Sequence, residues 1–306
     1  MLRKEIFYVH IQSYSKRFVN SIVKANFVTK HIVVVLLYNI YFMNYISEDF
    51  HYHYIPSYTL YVQSNLHSDH IIVLGPDNDV LVNMVYSNEN PTHEVTKILG
   101  LPFEQVYISL PHQNLLWVPT EVFEPGDLAL YTEHFLDPRI ERVAFKEIEG
   151  HGITALYQFD SMLENRWHNA FPHAQLFPTF LPVIKNAVNR NNQESEVLGI
   201  HIYDTLADIF LLVNNEIRLY NTFEIQTTDD LSFYVLSIIK NFGLHGSIPK
   251  ILLSGASKDS EWGDRLAYYT SQVEEVQSTA VWKTENEEVK ESIAELNILV
   301  DLTLCE

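Results

Sequence analysis

The sequence predicts an α/β protein built from two tandem units, each a β-meander followed by further helices and strands. Three observations lead to this prediction. The chain has 306 residues, more than one hydrophobic core usually holds, and 47% of them are apolar. Short runs rich in β-branched and aromatic residues alternate with segments of helical spacing. The same order of elements occurs in both halves, which indicates a duplicated domain.

The first unit begins with a three-stranded antiparallel meander over 58–64, 69–75 and 79–87, where polar turns separate runs of strand-forming residues. The remaining elements of this unit follow from helical spacing, caps and β-branched runs. They are a helix from Pro91 to Gly100, a strand over 105–111, a helix over 124–136, strands over 139–148 and 152–160, a helix capped by Ser161, a strand over 173–179 and a helix over 180–190.

The second unit repeats this plan. Strands over 197–204 and 208–214 are joined by a short turn, and Asn214-Asn215 supplies the next turn, because Asn tolerates the positive φ that tight hairpins need. The later elements are a third strand over 216–225, a helix from near Thr228 to Gly243, a buried strand over 250–256, a helix over 261–273 and a charged helical tail from Thr284 that packs on the domain.

Charge and cysteine content restrict the function. A net charge of -19, from 20 basic and 39 acidic residues, disfavours binding to nucleic acid and to anionic membranes. Cys305 is the only cysteine, so a disulfide within the chain or a cysteine-based metal site is excluded. A reducing, cytoplasmic setting fits this composition best.

Residues 1–42 differ from the rest of the chain. They hold six basic residues and one acidic residue, a net charge of +5, which leaves -24 for the remainder. The apolar stretch 31–42 lacks a small-residue cleavage site and is shorter than the roughly 20 residues that span a bilayer. We therefore expect translation to start at Met43, with residues 1–42 an artefact of start assignment or a poorly packed extension. Membrane contact is expected only if this stretch is translated.

An internal repeat supports the duplication. Shifting the sequence by 140 residues places Ser64 on Asp204, Leu66 on Leu206 and Ile71 on Leu211. Two meander-plus-α/β units in tandem are the ground plan of ribonuclease-H-like, actin-type ATPases. We accordingly predict a first domain over 43–190 and a second over 191–306, which begins in the polar stretch NNQESE.

Several segments resemble one family. They are "LLWVPTEVFEPGDLALYTEHFL", "IRLYNTFEIQTTDDLSFYVLSIIKNFGL" followed by "KILLSGASKDSEWGDRLAYYT", and the closing "LTLCE". They resemble a bacterial domain-of-unknown-function family, serial thirty-eight twenty-two, over roughly 43–306. That family is similar to actin-like ATPases, nearest to PilM-type pilus-assembly proteins, and its biochemical role is unassigned. The resemblance implies a fold and no activity.

The phosphate loops of this fold are altered. In actin-like ATPases a strand of each meander ends in Asp followed by a small residue, so that backbone N–H groups reach a phosphate while the Asp acts through Mg²⁺. The second loop here reads Asp204-Thr205-Leu206-Ala207, without glycine, and the first, over 63–67, has neither acid nor glycine. The favoured interpretation of Asp204 is an ordinary turn residue whose side chain hydrogen-bonds its own backbone, and a phosphate role is the alternative.

One partial adenosine signature remains. Gly255-Ala256-Ser257 follows a buried strand and has one glycine where two would be typical, and a purely structural turn is the favoured interpretation. We interpret these features as a degenerate nucleotide site and predict a non-catalytic scaffold or interaction module with a protein partner and no cofactor. The alternative is a nucleotide-binding protein or slow ATPase that holds Mg²⁺-ATP in the interdomain cleft, with Asp204 and Thr205 at the phosphates and residues 255–257 beneath the base.

Other motifs are weaker. The segments HYH (His51, His53) and HSDH (His67, Asp69, His70) could bind metal, and strand alternation would place His51 and His53 on one face, but the sequence shows no third ligand for either histidine pair. A Ser-His-Asp hydrolase would need a Gly-x-Ser-x-Gly elbow, which the sequence lacks. Paired carboxylates such as Asp229-Asp230 and Glu274-Glu275 are interpreted as helix starts and solvated faces.

Overall fold

The computed structural model describes residues 44–136, 139–190, 196–244 and 248–305. The predicted start at Met43 and the predicted extension 1–42 lie outside the described residues, as does most of the polar stretch at the predicted domain junction. Residues from Asn44 onward form one compact unit. The boundaries 43–190 and 191–306 therefore stay predictions.

Fourteen strands are described, in three sheets. They are β1 (Asn44–Ile46), β2 (Thr59–Ser64), β3 (Ser68–Leu74), β4 (Val80–Ser87), β5 (Gln105–Leu110), β6 (His112–Pro119), β7 (Ala144–Ile148), β8 (Ile153–Phe159), β9 (Gln175–Pro178), β10 (Glu196–Tyr203), β11 (Leu206–Val213), β12 (Glu216–Glu224), β13 (Lys250–Ser254) and β14 (Val273–Glu275).

Eight α-helices are described between and after these strands. They are α1 (His93–Leu99), α2 (Leu128–Thr132), α3 (Ser161–Ala170), α4 (Phe180–Arg190), α5 (Thr228–Phe242), α6 (Glu261–Leu266), α7 (Glu287–Glu295) and α8 (Asn297–Val300). Short 3-10 turns lie at Tyr52–Ser57, Thr120–Val122, Pro125–Asp127, Ile140–Arg142 and Leu302–Cys305.

The two larger sheets share one topology. The first sheet has the order β1-β4-β3-β2-β5-β9 and the second has β12-β11-β10-β13-β14. In each sheet a meander of three antiparallel strands continues through two parallel pairings, β2 with β5 and β5 with β9 in the first, β10 with β13 and β13 with β14 in the second. Apart from β1, which joins the outer edge of the first sheet, the two sheets therefore correspond strand for strand.

Local chemistry explains the turns and helix ends of the second sheet. Asn214 and Asn215 have φ of 51° and 64°, as the predicted hairpin requires. Thr227 and Asp230 form a reciprocal capping box at the start of α5, and Gly243 ends that helix with φ of 64°. The buried side of α5 packs on the second sheet, where it forms one core with β10, β11 and β13.

Three predictions about elements of the first half are wrong. Asp160, not Ser161, caps α3, because its carboxylate accepts hydrogen bonds from the backbone N–H groups of Met162 and Leu163. The predicted helix over 124–136 is a 3-10 turn followed by the short α2, and the predicted strand over 139–148 begins only at Ala144.

Strand β6 was missed because its apolar residues do not alternate with polar ones. It belongs to a small sheet with the order β6-β8-β7, both faces of which are covered. On one face Trp117 and Tyr157 contact the ring of Phe180 from α4. On the other face Leu156 packs with Val118 and with Phe135 and other residues of the segment 123–135. Burial on both faces removes the period-2 pattern that identifies a half-exposed strand.

The C-terminal tail returns to the first sheet. After β14 the backbone of Lys283 pairs with Asn78 and Val80 beside the first meander. Farther on, α8 contacts β2, and the last 3-10 turn contacts β5 and α4. The tail thus leaves the second sheet and packs on the first sheet, which the sequence pattern did not indicate. No described helix is long and apolar enough to cross a membrane.

Candidate functional site

The residues predicted to hold a nucleotide lie at one edge of the second sheet. Strands β10 and β13 are parallel neighbours, so their carboxyl ends meet at the same edge. The turn at Asp204-Thr205 follows β10, and the turn from Gly255 to Ser257 follows β13. The structure therefore brings the two predicted segments together.

Asp204 contacts the hairpin turn of the first sheet. Its φ of 51° is a left-handed conformation that Asp adopts more readily than most residues. The backbone N–H of His67, in the β2–β3 turn, donates a hydrogen bond of 3.2 Å to Asp204 Oδ2. The tips of the β2–β3 and β10–β11 hairpins therefore meet, and the backbone N–H group of His67 in the first loop is already hydrogen-bonded to a protein carboxylate.

Gly255 is required by backbone packing. Its φ is 75°, and a Cβ atom built on it would stand 1.9 Å from the carbonyl oxygen of Ile202 in β10. No other residue type could hold this backbone without displacing β10 or β13. The close approach accounts for the glycine without any ligand, in agreement with the interpretation as a structural turn.

The donors that follow Gly255 are also occupied. Ser257 Oγ donates to Glu275 Oε1 at 2.8 Å, and the backbone N–H of Lys258 donates to the same oxygen at 2.5 Å. Glu275 lies at the end of β14, the parallel neighbour of β13, so its carboxylate reaches back over the turn. The prediction that Glu274-Glu275 belongs to a solvated face is therefore wrong for Glu275.

An acidic cavity adjoins this turn. It has a volume of about 300 Å³ and is lined by residues 253–257 on one side and by Glu275, Glu291 and Glu295 on the other. Burial, with the neighbouring carboxylates of Glu275 and Glu291, raises the pKa of Glu295. None of the three glutamates forms an ion pair with a described residue.

The tail helix α7 forms the acidic wall of the cavity. Glu291 and Glu295 project from it, while Ser292 of the same helix accepts a hydrogen bond from Asn83 Nδ2 of β4 in the first sheet, at 3.3 Å. One short helix thus connects the first sheet with the cavity at the edge of the second sheet. Leu66 and Leu206, from the two facing hairpin turns, do not line this cavity, and Leu66 is 48% exposed.

A serine and a histidine meet behind the cavity without completing a hydrolase triad. Ser254 lines the cavity, and its Oγ lies 2.9 Å from Nδ1 of the buried His201. Burial lowers the pKa of His201 to about 4, so the ring is neutral at physiological pH. Asp208 does not bond to this ring; its carboxylate accepts hydrogen bonds from the hydroxyl groups of Tyr203, Tyr220 and Thr222.

The sequence suggested Asp69 only as a possible metal ligand, and the structure instead buries it below the first loop in an ion pair. Asp69 is 1% exposed and forms an ion pair of 2.8 Å with Arg166 of α3. Ser64 Oγ donates to Asp69, and Trp167 Nε1 donates to Ser64 Oγ. These contacts hold the first loop against α3. The only signal in the sequence was the adjacent Arg-Trp pair on a predicted helix, which by itself indicates no partner.

The histidine pairs do not form a metal site. His51 and His53 are exposed and lie at a 3-10 turn, so the prediction that they share a strand face is wrong. His67 is exposed in its turn, while His70 Nε2 contacts Asn83 Oδ1. In the part of the chain that the structure describes, no group of three or more His, Cys, Asp or Glu residues could hold a metal ion.

Donors at the candidate site are already used within the protein. Phosphate-binding loops hold their ligand with free backbone N–H groups, often reinforced by a cation. Here the His67 and Lys258 N–H groups donate to protein carboxylates, and two further glutamates line the adjacent cavity. A polyphosphate would have to displace these carboxylates and then remain beside them.

Comparisons with solved structures agree with the architecture. A crystal structure of a Bacteroides thetaiotaomicron protein with an actin-like ATPase fold and unknown function matches with a TM-score of 0.61 and 17% identity, covering 83% of this chain and 98% of that one. The PilM-PilN type IV pilus biogenesis complex matches with a TM-score of 0.54 and 11% identity, covering 80% of this chain and 97% of that one. At these identities the likeness shows the fold alone.

The family comparison gives a direct assignment. A search among curated proteins finds no match to this chain. The family model described as "Protein of unknown function (DUF3822)" matches residues 90–273, more than half of the chain. This match and the actin-like neighbours confirm the resemblance found in the sequence, and the chain belongs to the DUF3822 family.

Proposed function

We propose that this protein is a cytoplasmic, non-catalytic interaction module of the actin-like fold, with a degenerate nucleotide site. The observation that carries the proposal is that protein carboxylates accept hydrogen bonds from the first phosphate loop and from the turn that would lie beneath the base. Asp204 accepts from the His67 N–H, and Glu275 accepts from Ser257 and Lys258. The two lobes of an ATPase are retained, while the free donors that would polarise a phosphate are lost.

Electrostatics add to this loss of donors. Two unit negative charges 4 Å apart repel by roughly 4 kcal/mol at an effective dielectric constant near 20. Any phosphate group that entered the cavity would meet Glu275, Glu291 and Glu295 together. No described lysine or arginine lines the cavity to offset this repulsion.

Tandem ribonuclease-H-like domains are part of the proposal. The first and second sheets share the strand order and directions of a meander followed by two parallel strands. A duplicated unit of this kind explains why the β2–β3 and β10–β11 turns face each other at His67 and Asp204. We propose that duplication produced the two lobes and that the nucleotide-binding groups were later lost.

A protein partner fits this function better than nucleic acid. The PilM structure that matches this chain is a complex with PilN. By analogy of fold, we propose that this chain also acts by binding another protein. Its net charge of -19 opposes binding to nucleic acid.

A nucleotide-binding protein or slow ATPase is the second candidate. It is favoured by the position of Asp204 at a loop that faces a second loop, because a carboxylate there could hold Mg²⁺ through water. The cavity beside residues 255–257 would then take the base, with Thr205 near the phosphates. This alternative requires Glu275 to release Ser257 and Lys258.

Thermal unfolding of the full chain with and without Mg²⁺-ATP separates the two functions. A ligand that binds only the folded state stabilises it by about 2.7 kcal/mol at a hundredfold excess over its dissociation constant. We expect the unfolding midpoint to stay unchanged at millimolar nucleotide. An upward shift that Asp204→Ala abolishes would overturn the proposal in favour of the nucleotide-binding protein.

A further inference from the structure

An unpaired strand edge with an exposed aromatic side chain lies on the small sheet. Strand β7 is an outer strand, and it pairs only with β8. Among the described residues, none donates to or accepts from the backbone of β7 on its other side. An open edge of this kind is a template for an added strand. Phe145, the second residue of β7, is 47% exposed.

Apolar side chains are exposed on β7 and on the segment of chain that leads into it. The Phe145 ring contacts Phe123 at a centroid distance of 5.1 Å, and Phe123 contacts Tyr131 at 6.0 Å. Five large hydrophobic side chains of the segment 122–145 are at least 42% exposed; they are Val122, Leu130, Leu136, Ile140 and Phe145. Exposed apolar groups that adjoin an open strand edge are typical of a binding surface rather than of a solvated one.

The same region is acidic. Residues 112–159 contain eight acidic and three basic side chains. Glu147 is exposed on the same face of β7 as Phe145, since the two residues are two positions apart. Glu121 and Glu124 flank Phe123, and Glu149 follows β7. No described cation forms an ion pair with any of these four glutamates.

We propose that the outer edge of β7, with Phe123, Phe145 and these four glutamates, binds an extended basic segment of a partner protein as an added strand. We call this surface the Phe145 edge. The inference rests on the proposed function as an interaction module and supplies its partner chemistry. Charge decides the class of partner, because a second copy of this chain, with a net charge of -19, would bring a like-charged surface to the same glutamates.

The face of β7 sets the partner's sequence pattern. An added strand places one residue opposite Phe145 and the residue two positions away opposite Glu147. An apolar side chain therefore fits the first position and Lys or Arg fits the second. The intervening residues face Lys146 on the other side of the strand, where small uncharged side chains are suited.

A synthetic peptide tests this pattern on the full chain. The probe is a labelled peptide of about eight residues, a typical strand length, with Thr at odd positions and Val and Lys in turn at even positions. One control peptide replaces Lys with Glu, and another replaces the central Thr residues with Pro, which cannot donate to a strand edge. We expect the probe to bind, in fluorescence anisotropy, about tenfold more tightly than either control.

Matched protein variants locate the binding. Phe145→Asp should weaken probe binding about tenfold, while Phe233→Asp, at an exposed phenylalanine of α5, should leave it unchanged. Phe145→Asp also removes the contact with Phe123, so an effect on folding has to be distinguished from a loss of binding. A second pair of variants, at exposed glutamates, makes that distinction. Glu147→Lys should weaken binding, and Glu285→Lys, at an exposed glutamate of the tail, should not.

Four results would overturn the proposal. They are no probe binding at millimolar peptide, equal binding of the Pro peptide, equal effects of the matched variants, and a dimer of the chain that Phe145→Asp disrupts. The last result would assign the Phe145 edge to self-association. Nucleotide plays no part in this assay, so its failure would leave the proposed loss of nucleotide binding standing.

Discussion

At the scale of single residues, the candidate site depends on a glycine that is packed against a neighbouring strand too tightly for any side chain to fit. Gly255 has φ of 75° and lies against the carbonyl oxygen of Ile202, which leaves no space for a side chain. The turn that Gly255 makes possible brings Ser257 and Lys258 under the carboxylate of Glu275. Gly255 is therefore required by the backbone geometry of the turn, whether or not a ligand binds there.

Replacing this glycine should be costly. We expect Gly255→Ala to lower the free energy of unfolding by about 3 kcal/mol, from a strained positive φ and a backbone clash. Gly126→Ala is the matched control, because no atom lies within 4 Å of its Cβ position and its φ is not positive. Urea unfolding of both variants measures the difference. Equal stability of the two would contradict the structural role of Gly255.

Residues within one strand or turn could be predicted from the sequence, and residues that act across strands could not. Asp204 and Gly255 were found because each ends an apolar run at a turn. Glu275 was misinterpreted because its contact with residues 257–258 depends on the parallel pairing of β13 with β14. The ion pair between Asp69 and Arg166 was missed because the two residues are 97 positions apart in the sequence.

At the scale of elements, the C-terminal tail connects the two larger sheets. The backbone of Lys283 pairs beside the first meander, and α7 lines the cavity at the second sheet. Near the end of the chain, the buried Asp301 holds the tail through hydrogen bonds. Asp301 is 3% exposed and accepts from Asn186 Nδ2 and from the N–H groups of Thr279 and Ala280, at 2.7, 2.8 and 3.1 Å.

Removing the Asp301 carboxylate should loosen the tail. Asp301→Ala removes the acceptor of three hydrogen bonds, and we expect a loss of about 3 kcal/mol in the free energy of unfolding. Asp259→Ala, at an exposed aspartate of the β13–α6 turn, is the control and should change it by less than about 0.5 kcal/mol. The tail would be shown to contribute little if the two variants unfolded at the same urea concentration.

Elements with clear periodicity were predicted within a few residues, and elements without it were not. The meander strands β2, β3 and β4 and the helix α5, with its capping box and terminal glycine, match their sequence signals closely. β6 and β14 were missed, since the first is covered on both faces and the second has only three residues. The predicted helix over 261–273 ends at Leu266, where the chain turns to enter β14.

At the scale of the whole molecule, the order of elements predicted the mixed α/β architecture and its actin-like relatives. That inference succeeded because a meander followed by parallel strands permits few topologies. The return of the tail to the first sheet could not be predicted, because α7 and α8 have no pattern that distinguishes one sheet from the other. The same limit applies to the Phe145 edge, which becomes visible only when β7 is placed at the border of its sheet.

The central claim is that protein carboxylates occupy the donors a nucleotide would need. An NMR titration of the isotope-labelled full chain with Mg²⁺-ATP tests it most directly, at the backbone amides of His67 and Lys258. We predict that both signals keep their positions up to millimolar nucleotide, because Asp204 and Glu275 already accept from these groups. Saturable shifts of both amides, with Asp204 and Glu275 displaced, would contradict the account and identify a working nucleotide site.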